Sequence, residues 1–138
     1  MQRFTEIEQK LAQAKPLDEL TASCEAFQFI VTVADHYADH TSGWFAKWMS
    51  VIPPACEGRD YLGLAPSMRR EVVADVDPLD LEAISEDEAA RSLASIVAAL
   101  LKHLPAAAAM ATDPADAQAC AKAAEAAAEV RDLLAMDG

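Results

Sequence analysis

Apolar residues recur along most of this chain at intervals of three and four, the spacing that gathers them on one face of an α-helix. In residues 3–15, Phe4, Ile7, Leu11 and Ala14 mark a short amphipathic helix closed by Pro16. The clearest stripe follows over 17–40, where Leu20, Cys24, Phe27, Val31, Ala34 and Ala38 share a side. Thr21, Glu25, Gln28, Thr32, Asp35 and Asp39 occupy the opposite face, which reads as the wet one. Phe29, Val33 and Tyr37 widen the apolar side beyond what one neighbour would cover, so this helix is expected to touch two.

The pattern then shortens. Residues 44–52 read as a very apolar helix that Ser42 caps and Pro53 and Pro54 stop, with a loop through Gly58 and Gly63 after it. Short helices are expected over 68–75, behind Ser67, and over 78–84, behind Asp77-Pro78. Ser85-Glu86-Asp87-Glu88 is a capping box and opens a helix to Leu104, ended by Pro105. Its core face is Leu93, Ile96, Val97, Leu100, Leu101 and Leu104. Asp113-Pro114 repeats the cap-and-proline device before a last helix, 114–136. Ala119, Ala123, Ala127, Val130 and Leu134 form the stripe there, with Lys122, Glu125 and Glu129 on the wet side.

No alternating strand pattern and no repeat interrupts this order. The expectation is an all-α protein: one helical domain over 1–138, a bundle of about four main helices plus short accessory ones. An aromatic, glycine- and proline-rich insert at about 41–66 breaks the regularity.

Charge narrows the function classes. A net charge of −12 argues against nucleic-acid binding, which needs clustered Lys and Arg. Apolar runs read as too broken by charge to span a bilayer, so no membrane is expected. The opening MQRFTEIEQK has acids where an export signal carries its apolar core, which points to the cytoplasm. Cys24, Cys56 and Cys120 are odd in number and widely spaced, the pattern of reduced cysteines. Arg59, near Cys56, is the one feature favouring thiolate there, with Glu57 and Asp60 opposing it.

Candidate chemistry concentrates in 36–66, which holds five of the eight aromatics: Tyr37, Trp44, Phe45, Trp48 and Tyr61. Rings gathered beside irregular backbone suit a pocket or a partner-binding face. The leading expectation is a non-enzymatic protein that binds another protein through Tyr37, Trp44, Phe45, Trp48, Met49 and Tyr61, with a homodimer ranked first. A second reading places a divalent transition metal on His36 and His40, one helical turn apart, with His103 as third ligand and Glu25 nearby. A metal-dependent enzyme would follow from that. A third is an acidic inhibitor or immunity-type protein presenting 71–88, with eight acids, to a basic partner. Asp75 to Glu86 has the length of an EF-hand loop but carries Pro78 at position 4, Leu79 at position 5, where a ligand is needed, and Asp80 at position 6, where the sharp turn needs glycine. No nucleophile elbow, phosphate loop or dinucleotide fingerprint is present.

Overall fold

A computed structural model describes residues 2–13, 19–40, 45–68 and 84–136. Within them the chain is all-α, with no strand: α1 (Gln2–Gln13), α2 (Glu19–His40), α3 (Phe45–Gly63), α4 (Glu86–Met110) and α5 (Pro114–Ala135). The expected helices over 68–75 and 78–84 lie outside the described residues, apart from Met68 and Ile84.

The stripes form one core. Phe27, Ile30, Val33, Leu93, Ile96, Val97, Leu100 and Val130 are fully enclosed. Four helices make the bundle, each antiparallel to its neighbours. At one end Trp48 of α3 stacks on Tyr37 of α2, Lys47 reaches the Met136 carbonyl behind α5, and Tyr37 reaches Ile84 ahead of α4. At the other end Thr21 of α2 meets Met68, and Ser67 meets Asp116 of α5. Thus α2 and α5 run one way and α3 and α4 the other. Met68 and Ile84 therefore lie at opposite ends of the bundle.

α1 wedges into the seam between α2 and α4. Phe4 packs edge-on against Phe29, with ring centroids 4.9 Å apart. Lys10 Nζ reaches Glu25 Oε1 at 3.0 Å, and Arg3 Nη2 approaches the same oxygen at 3.8 Å. Glu25 is consequently only 9% exposed, not on the open polar face its position on α2 implied. The α2 pattern is right in period; α1 covers part of what one helix alone would leave wet.

Both caps form as expected. Ser85 Oγ accepts the Glu88 N–H at 3.1 Å, and Asp113 Oδ1 accepts the Ala115 N–H at 2.8 Å, with Pro114 in the first turn of α5. The prolines within helices behave differently from expectation. α3 continues through Pro53 and Pro54, and α4 through Pro105. A proline interrupts a helix because it deprives the carbonyl four residues back of its donor, at about 3 kcal/mol. In α3 those carbonyls belong to Met49 and Ser50, both exposed, so water can serve them. Burying Pro54, Ala55, Gly58 and Leu62 offsets the remainder. Pro105 is likewise on the solvent side.

α4 is the one described helix long and apolar enough, by length and composition, to cross a membrane. Between Arg91 and Asp113 Lys102 is the one residue of fixed charge, beside His103, so charge breaks the sequence there less than expected. One face of α4, from Ala89 to Leu104, is taken up by the core.

Candidate functional site

The aromatic segment is divided by the fold into two surfaces with different roles. The first is internal. Trp48 is fully buried and stacks on Tyr37, with centroids 5.2 Å apart and planes 24° from parallel. Its indole N–H donates to Glu86 Oε2 at 3.2 Å, while the Tyr37 hydroxyl donates to the Ile84 carbonyl at 3.4 Å. The two rings therefore hold the capped start of α4 against α2 and α3. Trp48 and Tyr37, 5% exposed, are core residues and are not available to a partner, contrary to the sequence expectation. Their polar tips are satisfied inside the bundle, which is why two large amphipathic rings can be buried there.

The second surface faces solvent. Phe45 and Met49, one turn apart on α3, are 53% and 46% exposed. Ile52 and Cys56 continue the same line at half-buried positions; Tyr61 is also exposed but lies about 150° round the helix from that line, so it is not part of the strip. Trp44 lies outside the described residues. This strip is adjacent to α2. Arg59 Nη1 donates to Gln28 Oε1 at 2.8 Å, which places the α2 line Gln28, Thr32, Asp35, Asp39 along the edge of α3. Asp35 and Asp39 are exposed. Apolar side chains and carboxylates thus run side by side.

Among the described residues, His36 and His103 do not come together in one site. His36 packs edge-on against Tyr37, centroids 5.0 Å apart, at the end of the bundle where α4 begins. His103 lies about 27 Å further down α4, at ~1.5 Å of rise per residue from Ser85. Antiparallel packing brings the C-terminal end of α2 to the start of α4, whereas convergence needed its far end. Glu25, the suggested fourth group, is engaged by Lys10 and Arg3. Among the described residues no group of three His, Cys, Asp or Glu side chains is placed to hold a metal. The His40 side chain lies outside the described residues.

No family profile, curated protein or solved structure matches this chain. The geometry alone carries the functional reading.

A cleft of about 300 Å³ between α1 and α4, which the sequence analysis did not anticipate, is lined by Phe4, Glu8, Glu88, Arg91, Ser92 and Ser95. The signal available in the sequence was the polar pair Ser92 and Ser95 within the apolar middle of α4. Ser95 Oγ donates to Glu8 Oε1 at 2.7 Å, a bond that ties α1 to α4.

None of the three cysteines is in a disulfide. The Cys24 thiol donates weakly to the Arg59 carbonyl, S···O 3.7 Å. Burial pushes it above its ordinary 9.0; Arg59 draws it back, and Asp60 and Glu25 add to the rise. Burial, then the Glu86 and Glu88 carboxylates, likewise push the Tyr37 phenol above 10.0. Both groups are held neutral by the fold. The stability they carry is whole below pH 9 and is lost as pH rises, past 9 for Cys24 and past 10 for Tyr37. Urea midpoints should therefore fall between pH 9 and 11, and Tyr37→Phe should flatten the part above 10. An unchanged slope in that variant would show that Tyr37 does not contribute.

Proposed function

We propose that this protein acts through protein–protein contact, and that the interaction face is the solvent side of α3 beside α2. The observation that carries this reading is the exposure of Phe45 and Met49 on α3, outside the face that the core buries. A large ring and a thioether left in water forgo stabilisation that burial would supply, roughly 2 kcal/mol each. Met is also a side chain that adapts to different partner surfaces. Contiguous exposed apolar side chains rimmed by charge are characteristic of binding faces.

The test separates binding from folding. Phe45→Ser with Met49→Ser should leave the thermal transition within about 0.5 kcal/mol of wild type in stability, because both side chains face solvent. A photo-crosslinking residue in place of Met49 should give discrete protein adducts in the native cell, lost when Phe45→Ser is added. The same group in place of exposed Glu125 on α5 should give none. An adduct of twice the mass would report self-association. Equal, diffuse labelling from both positions would defeat the proposal.

A further inference from the structure

We infer that the occupant of the α3 face is a basic amphipathic helix of another protein, in preference to a second copy of this chain. The inference rests on the reading of α3 as an interaction face and adds the chemistry of the partner. Two features of the surface set that chemistry.

The first is shape and polarity. Ile52, Phe45, Cys56 and Met49 fall within a narrow sector of α3, at the spacing one helix face presents to another. A partner matching it needs apolar residues at intervals of three and four. The second is charge. Asp35 and Asp39 border the strip on α2, and Glu57 and Asp60 are exposed on α3 itself. Arg59 and Lys47, the described cations of α3, are already engaged. Arg59 is held by Gln28 and by Asp60, whose Oδ1 lies 3.1 Å from Nε. Lys47 turns to the α5 side, where it donates to the Met136 carbonyl at 2.8 Å. Asp60 is paired with Arg59, which leaves Asp35, Asp39 and Glu57, among the described residues, as uncompensated carboxylates around the strip on a protein of net charge −12. A second copy would bring the same three acids to the seam. A helix with Lys or Arg beside its apolar face would neutralise them, and like-charge juxtaposition is what excludes wrong partners from such surfaces.

The experiment uses the full chain and a synthetic probe: a peptide of about 18 residues, roughly five turns, with leucines at helical spacing and lysines elsewhere. Its controls are a scrambled peptide of the same composition and a version with glutamate for lysine. Fluorescence anisotropy should show binding of the lysine peptide, weakened severalfold between about 50 and 300 mM salt, and no comparable binding of either control. Phe45→Ser with Met49→Ser should weaken it by about tenfold or more. Asp35→Asn with Asp39→Asn should weaken it severalfold at low salt and flatten the salt dependence. Glu125→Gln with Glu129→Gln, on exposed α5 positions, should leave it unchanged. Equal binding of the scrambled peptide, or equal loss from the α5 pair, would overturn the inference by showing diffuse charge attraction. Failure of the lysine peptide to bind would overturn it too. Sedimentation then separates the two readings. A wild-type dimer dissociated by the Phe45 and Met49 changes would keep α3 as an interaction face while rejecting the basic partner. A monomer that binds no peptide and gives no crosslink through position 49 would reject both.

Discussion

Trp48→Ala is expected to lower the unfolding free energy by about 3–5 kcal/mol, the cost of removing a large ring from an enclosed site. Trp48 has no exposed surface, and its stack on Tyr37 and bond to Glu86 join three helices at one end of the bundle. Its loss would leave a void lined by Tyr37 and release the start of α4. In a protein whose net stability is of the usual order of 5–15 kcal/mol, that is a large fraction. Trp48→Phe keeps most of the ring and forfeits the N–H···O bond, so about 1 kcal/mol beyond the lost volume is expected. Chemical denaturation read by far-UV circular dichroism gives both numbers. A loss under about 1 kcal/mol for the alanine variant would show that the indole is not a core residue. The same measurement decides between the two roles the sequence allowed for this ring.

Gly58→Ala should be destabilising by about 1–3 kcal/mol, although alanine is the better helix former by about 1 kcal/mol. A Cβ on Gly58 would overlap the ring of Phe27, which is fully buried and has no open side to turn into. The glycine is what lets α3 lie this close to α2. Gly63, at the end of the same helix, supplies the control. A Cβ there meets nothing within 4 Å and the backbone is not in the left-handed region, so Gly63→Ala should be neutral or stabilising by up to about 1 kcal/mol. Opposite signs from two glycines five residues apart would be direct evidence for the close approach. Combining Gly58→Ala with Phe27→Leu should recover part of the loss, because the clash is with the far edge of the ring. Two variants equal in sign would mean that α3 sits further from α2 than the structure places it.

Local pattern was sufficient for much of this architecture. The period of the stripes in α1, α2, α4 and α5 identified an all-α bundle and most of its core, since a face that repeats every three or four residues has only one way to be buried. The caps at Ser85 and Asp113 were equally legible, because a capping side chain bonds to backbone two or three residues away. The division of the aromatic segment was not legible. Trp48 and Met49 are chain neighbours, yet one is enclosed and the other faces water, and only the position of α2 against α3 separates them.

The remaining differences have the same origin. Pro53, Pro54 and Pro105 carry a local penalty against helix, but the burial of the residues beyond Pro53 and Pro54 is a tertiary gain that outweighs it in α3. Glu25 belongs to a polar stripe on its own helix and is covered because α1 packs there with Lys10 and Arg3 facing it. His36 and His103 carry suitable chemistry on suitable helices, and antiparallel packing sends them to different levels of the bundle. Sequence by itself determined which segments are helical and which face of most of them is apolar, because those follow from backbone geometry over a few residues. Helix direction, the depth at which α3 sits on α2, and which apolar residues remain in water were decided only by the packing of segments distant in the chain, where burial energies exceed local preferences.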